Sequence, residues 1–184
     1  MIQNINFRKF TDHLSHATLL TIPGEATAAV LTIQAAMGLF AVSSAIKSEK
    51  LCADDQTTRL LQTQFGILKE QLEATANRCF TAGKALNAAI AAEEKKEQEA
   101  LFGECAEANL QTARLAADLS RLLGSLAAID DPMVSSVAQP ALVVTGTCLE
   151  AARLNANFFT PHLDAAKADD YILQFKNLTE AVNG

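Results

Sequence analysis

Two long segments of the chain repeat apolar or small residues at alternating intervals of three and four. The first starts near Asp54, a plausible N-cap, and carries its series over positions 61–90; the second carries its series over positions 101–129. This spacing places the apolar side chains along one side of a helix. The second series stops at Asp130-Asp131-Pro132, because proline cannot continue a helix. We therefore predict two long amphipathic helices that pair antiparallel, joined near the mixed-charge run 93–99, itself a solvated connection or helix end.

Two further segments carry few or no charged residues: the first is apolar on all sides, and the second is nearly uncharged until Glu150. One is a helix predicted from Glu25 to Ser48, which follows a loop over 18–24, and its stretch Ala26–Ile46 contains no charged residue. That stretch is long enough to span a bilayer, but it is rich in small residues, which favours a buried central helix. The other is a helix predicted over 133–158, in which an internal proline, Pro140, predicts a kink or a late start.

Shorter helices are predicted at both ends of the chain, over 6–16 and from Pro161 to Val182. The fold class that follows is all-α: a bundle of five to six helices, with two long amphipathic helices and two apolar central ones, forming a single domain over 1–184. A bundle of this size has difficulty hiding two apolar helices completely. We therefore expect a homodimer that buries the remainder.

Composition narrows the class of partner. Hydrophobic residues make up 49% of the chain but aromatic residues only 5%, which suits close helix packing, and the net charge of −6 excludes a basic footprint for nucleic acid. The four cysteines have no CxxC spacing, and the N-terminus has no apolar signal region. We expect reduced, mostly buried thiols, a cytoplasmic protein, and neither a membrane nor a nucleic acid as partner.

Three features are candidates for chemistry. The turn Ile22–Thr27 enters a helix N-terminus, where free N–H groups bind a carboxylate or a phosphate, although a simple helix-starting turn has the same pattern. Asp130 and Asp131 fit a turn and helix cap better than a pair of catalytic carboxylates. His13 and His16, three residues apart, could share a metal ion, but no accompanying ligand pattern occurs and surface histidines explain them better. No metal site is predicted.

The same turn carries a family resemblance. Pro23 and Gly24 match a TPGGGS turn, Thr27 stands where that motif has serine, and Glu25 and Ala26 replace two of its glycines. An alanine-rich helix follows the turn, as it does in that motif. The motif is typical of the cyclodeaminase and methenyltetrahydrofolate cyclohydrolase family, which this chain resembles over nearly its whole length.

Two later segments extend the resemblance. Residues 131–137 resemble the family's NPNAVSD segment, with Pro132 and Ser136 matching, and residues 149–155 resemble its LEGALLN stretch, with Asn155 matching. The chain departs from the family where acids are expected. The acid after Ser136 is replaced by Val137, and an acid on the long third helix is replaced by Ala76, with the nearby aromatic kept as Phe80.

The resemblance implies a homodimer that binds a tetrahydrofolate derivative and acts on its one-carbon bridge. The reaction would be ammonia loss from the formimino form or hydrolysis of the methenyl form. Five residues would bind the ligand: Pro23, Gly24, Thr27, Ser136 and Asn155. Glu25 is the one acid in the turn that could replace a missing carboxylate. Two alternatives stay open: a non-catalytic relative that binds a folate or another small molecule, and a helical dimerisation protein.

Overall fold

The structure, a computed structural model, describes residues 22–183, which fold almost entirely into helices. No strand occurs among these residues, so the predicted all-α bundle is confirmed. The predicted helix over 6–16 lies outside the described residues. Residues 22–183 form five α-helices and one short 3₁₀ turn: α1 (Ile22–Lys47), α2 (Gln56–Ala91), α3 (Lys95–Ala127), α4 (Pro132–Phe159), the 3₁₀ turn (Thr160–His162) and α5 (Ala165–Asn183).

The first four helices form a bundle in which each one packs chiefly against two neighbours. Helix α1 contacts α2 and α4, α3 contacts the same two helices, and α1 and α3 also touch each other. The pair α2 and α3 is antiparallel, as predicted, and a three-residue connection joins them. Arg78 of α2 and Glu104 of α3 cross this pair with an ion pair of 2.6 Å. The mixed-charge run forms this connection and the first turn of α3.

The bundle interior is built from leucine and alanine with one aromatic ring, Phe65, that is completely buried. Helix α3 lies deepest, because leucine, alanine and small polar side chains line several of its sides. Helix α5 packs on α3 through side-chain hydrogen bonds. Arg114 Nη2 donates to Gln174 Oε1 at 2.6 Å, and the hydroxyl of Tyr171 donates to Glu107 Oε2 at 3.1 Å.

Aspartates cap the N-termini of α2 and α4. Asp55, one residue after the predicted cap, is the N-cap of α2: its carboxylate accepts from the N–H of Thr57 and of Thr58. Asp54 instead forms an exposed ion pair with Arg59. Asp131 caps α4, accepting from Met133 N–H at 2.8 Å, so the interpretation of Asp131 as a cap is confirmed.

The start of the last helix was predicted wrongly. Pro161 lies in the separate 3₁₀ turn, and α5 begins only at Ala165. Leu163 between them has an extended backbone, which ends the first turn. Asp164 then accepts a hydrogen bond from Lys167 N–H at 2.9 Å and satisfies a first-turn donor of α5.

The start of α1 also differs from the prediction. The helix begins at Ile22, so residues 22–24 belong to its first turn and not to a loop. Pro23 is compatible with this position, because the first turn of a helix does not use its N–H groups for intrahelical bonds. Gly24 therefore faces the bundle as part of a helix, with an ordinary negative φ.

The two apolar helices are not fully enclosed by this chain. In α1 and α4, the most apolar windows are long and apolar enough to cross a membrane, and only 33% and 39% of them are buried. Length and composition of this kind also occur in the core helices of soluble proteins, so they are weak grounds for a membrane span. Large apolar side chains of both helices remain exposed: Met37, Phe40, Met133, Val143, Val144, Leu154 and Phe158.

Candidate functional site

A buried polar cluster lies where the first turn of α1 meets α2 and α3. A methyl group placed on Gly24 would lie 3.0 Å from Asn109 Oδ1 and 3.1 Å from Cys79 Sγ. Both side chains are buried, Asn109 with only 3% of its surface exposed. Gly24 therefore lets the α1 backbone approach the amide and the thiol more closely than any larger residue would.

The same end of α1 also contacts α4. Asn155 Nδ2 donates to Thr27 Oγ1 at 3.4 Å, a long hydrogen bond between two residues 128 positions apart in the sequence. Thr27 is buried and Asn155 is half-buried. The structure thus brings together Gly24, Thr27 and Asn155, with Pro23 in the same helical turn.

Glu25 stands between Gly24 and Thr27 in this turn. The residue is half-buried, and its carboxylate oxygen Oε2 is shielded from solvent. The carboxylate lies close enough to Cys79 to contribute to the raised pKa of that thiol. Glu25 therefore presents a negative charge to the polar cluster, as an acid in the first turn of a helix does favourably.

The two thiols of the cluster stay protonated near neutral pH. Burial raises the pKa of Cys79 to about 11, although a hydrogen bond with Thr112 acts in the opposite direction and lowers it. Burial also raises the pKa of Cys105 to about 12, and Cys79 adds to that rise. Such thiols act as small apolar groups and not as nucleophiles. Cys148 is likewise buried, Cys52 is exposed, and all four cysteines are free, as expected.

Asn109 was not predicted from the sequence. It lies on α3 among alanine and leucine residues, and its position in the apolar series does not distinguish it as a functional residue. Its Nδ2 donates to the Cys105 carbonyl at 2.9 Å, a bond within one turn of its own helix. Its Oδ1 is buried and has no hydrogen-bond partner among the described residues.

Ser136 is not brought to this cluster. It is exposed near the start of α4 and donates to the Met133 carbonyl at 2.8 Å. Asn155 lies 19 residues further along the same helix, which corresponds to about 28 Å at 1.5 Å per residue. Ser136 and Asn155 of one chain therefore lie towards opposite ends of the bundle.

The two positions at which the resemblance leads us to expect acids also lie apart. Val137 is 9% exposed and belongs to the apolar core near the start of α4. Ala76 is half-buried on α2, one turn before the half-buried Phe80. Both positions thus carry apolar side chains. Within the described residues, no group of three or more metal-ligating side chains occurs. His162 is exposed and stacks on Phe102 with ring centroids 3.9 Å apart.

A separate cavity of about 620 Å³ lies between α4 and α5. Its charged lining is balanced, with Glu150 and Arg153 on α4 and Lys176 and Glu180 on α5. Glu150 and Arg153 are paired with each other. The cavity contains none of the predicted ligand-binding residues.

Comparison with known proteins identifies a solved structure with a similar fold. No protein-family model matches the sequence, and no curated protein matches it significantly. A solved structure of formiminotetrahydrofolate cyclodeaminase from Thermotoga maritima superimposes with a TM-score of 0.81, over 99% of this chain and 96% of that chain. The two sequences are 13% identical over this alignment. The chain therefore has a cyclodeaminase-like fold, as the sequence resemblance indicates.

Proposed function

We propose that this protein binds a tetrahydrofolate derivative at the first turn of α1 and acts on its one-carbon bridge. The observation that carries the proposal is the contact between Thr27 and Asn155, which joins two of the three family-like segments in one place. Glu25 supplies a carboxylate in the same turn. The likeness to a formiminotetrahydrofolate cyclodeaminase supports folate as the ligand class.

Glu25 is the proposed proton-transfer group. In ammonia loss from a formimino folate, the second folate nitrogen forms a bond to the formimino carbon, and the bond from that carbon to the terminal nitrogen breaks. Starting from the protonated formimino group, one proton leaves the attacking nitrogen and the departing nitrogen gains one, so that ammonia and the cationic methenyl bridge are formed. A carboxylate beside the reacting atoms performs both transfers in turn. Hydrolysis of the methenyl form needs a similar base to activate water.

A non-catalytic folate-binding protein is the second candidate. It is favoured by Val137, which places an apolar side chain in the core where the family has an acid, and by Ala76 at the second such position. In that case Glu25 would contribute charge complementarity to the ligand and no proton transfer. Binding would then persist without turnover.

We further propose a cytoplasmic homodimer. Exposed apolar side chains on the neighbouring helices α1 and α4 support it, because a patch of this kind in a soluble protein normally meets another protein surface. On α4, residues Met133, Val143 and Leu154 lie along one side of the helix. A second copy would cover the same side of both chains in a self-complementary contact.

Calorimetric titration with tetrahydrofolate and with its formimino and methenyl forms tests the ligand. Turnover of wild type and of the Glu25→Gln variant then tests the chemistry. Glu73→Gln is the matched control, since Glu73 is an exposed acid on α2 paired with Lys69. We expect saturable binding in all three proteins, and turnover in wild type and Glu73→Gln only.

The possible results separate the two candidates. Binding without turnover in wild type establishes the non-catalytic protein. Turnover that survives Glu25→Gln removes the proposed role of Glu25. Absence of heat and of thermal stabilisation with all three folates overturns the proposed ligand class.

A further inference from the structure

The amide of Asn109 is a buried acceptor with a free lone pair beside the proposed ligand site. Its orientation is set by the bond from Nδ2 to the Cys105 carbonyl, 2.9 Å, which fixes which end of the amide is oxygen. Oδ1 then points towards the first turn of α1, 3.0 Å from where a Gly24 Cβ would stand. Although 97% of the residue is buried, Oδ1 has no partner among the described residues.

Such an arrangement is costly if it serves packing alone. A buried carbonyl without a donor loses its hydrogen bonds to water and gains none, and an apolar side chain avoids that loss. The neighbouring thiols of Cys79 and Cys105 are held protonated by burial, so the floor of the site is otherwise uncharged. Gly24 is the residue that leaves room for the amide.

We infer that Asn109 Oδ1 accepts a hydrogen bond from an N–H of the bound ligand and thereby selects ligands that carry a donor at that point. The inference rests on the proposed function, because it takes the first turn of α1 as the ligand site. Half-buried Glu25 and Asn155 form the outer part of the site, and Asn109 forms its floor.

The chemistry of these groups defines the ligand. An amide oxygen and a carboxylate are both acceptors, and together they fit a cationic group that bears N–H donors. The protonated formimino group is an amidinium with such donors. The methenyl bridge is also cationic, but it carries no N–H. Asn109 therefore discriminates between the two one-carbon forms, since a buried acceptor left without its donor penalises the wrong ligand.

Two substitutions test this role. Asn109→Leu keeps the branching of the side chain and removes the acceptor, and Gly24→Ala displaces the acceptor by placing a methyl group 3.0 Å from Oδ1. The matched control is Ser120→Ala. Ser120 lies on the same helix, 4% exposed and about 16 Å further along the axis, and its buried Oγ also has no partner in the part of the chain that the structure describes.

Affinities for the formimino and methenyl forms are measured by calorimetry, and stability by thermal unfolding. We expect wild type and Ser120→Ala to prefer the formimino form by about tenfold or more. Asn109→Leu should lose this preference while remaining folded, and Gly24→Ala should reduce it. A purely structural Asn109 would instead leave the preference unchanged in both folded variants.

The outcomes distinguish failure of this inference from failure of the proposed function. Equal affinities of wild type for the two forms, or an unchanged preference in folded Asn109→Leu or Gly24→Ala, overturn the role of Asn109 while folate binding stands. No binding of either form by wild type overturns the proposed function and the role of Asn109 together.

Discussion

The ring of Phe65 on α2 lies directly against the backbone of Gly38 on α1, with no α1 side chain between them. A methyl group on Gly38 would stand 2.2 Å from Phe65 Cε1, well inside van der Waals contact. The ring is completely buried and cannot swing into solvent. The close approach of α1 to α2 therefore depends on the absence of a side chain at position 38.

We expect Gly38→Ala to lower the free energy of unfolding by about 1–3 kcal/mol, because the added methyl group overpacks a filled core. Urea denaturation measures the change. Gly146→Ala on α4 is the control, since no atom lies within 4 Å of the added methyl group there. That control should gain roughly 0.5–1 kcal/mol from the better helix former. Equal effects of the two substitutions would contradict the contact.

Sequence periodicity is sufficient to predict the helices, but it does not predict the contact between Gly38 and Phe65. The heptad series on α2 and α3 predicts both helices and their antiparallel pairing, because it reports which side of each helix is apolar. It does not report which residue of one helix meets which residue of another. Gly38 reads as one more small residue in an apolar segment until Phe65 is placed against it.

The candidate site shows the same limit. The family-like turn pointed to Gly24 and Thr27, and the later segment to Asn155, all of which the structure brings to one end of α1. The sequence does not single out Asn109, because one polar residue inside an apolar helix has no pattern that distinguishes it. Ser136 was grouped with these residues through the resemblance, whereas helix length alone sets it at the other end of α4.

The cap of α4 should make stability depend on pH. A hydrogen bond from the Ser48 hydroxyl and bonds from the N–H groups of Val134 and Met133 lower the pKa of Asp131 below its ordinary 3.8. A lowered native pKa stabilises the fold above the unfolded-state value, and this contribution disappears as the pH falls through the native value. Asp131→Ala should therefore lower the Tm by a few degrees near neutral pH.

Thermal unfolding of wild type and Asp131→Ala at about pH 6 and about pH 3 measures this dependence. The difference in Tm should be smaller at the lower pH. Asp131→Asn keeps a carbonyl acceptor at the cap but does not titrate, and should retain much of the Tm at both values. A difference between wild type and Asp131→Ala that grows on acidification would contradict the role of the carboxylate.

Thiol reactivity should separate Cys52 from the other three cysteines. Cys52 is exposed, whereas burial raises the pKa of Cys79 and Cys148 to about 11 and that of Cys105 to about 12. Because the thiolate is the reactive form, a thiol reagent at about pH 8 should modify one cysteine quickly in the folded protein and all four after denaturation. Cys52→Ser should remove the fast phase. Rapid modification of two or more thiols in the folded protein would show that the cluster is open to solvent.

The apolar side of α4 should govern self-association. Val143 is 70% exposed near the middle of α4, the largest exposure among the large apolar side chains described. A lysine there would carry an unpaired charge into the proposed contact between two copies, and burying such a charge is strongly unfavourable. Light scattering after size exclusion should give twice the chain mass for wild type and one chain mass for Val143→Lys. Leu173→Lys on α5, at a similarly exposed apolar residue outside that side, should remain dimeric. A monomeric wild type, or a dimer that Leu173→Lys dissociates and Val143→Lys does not, would move the contact away from α4.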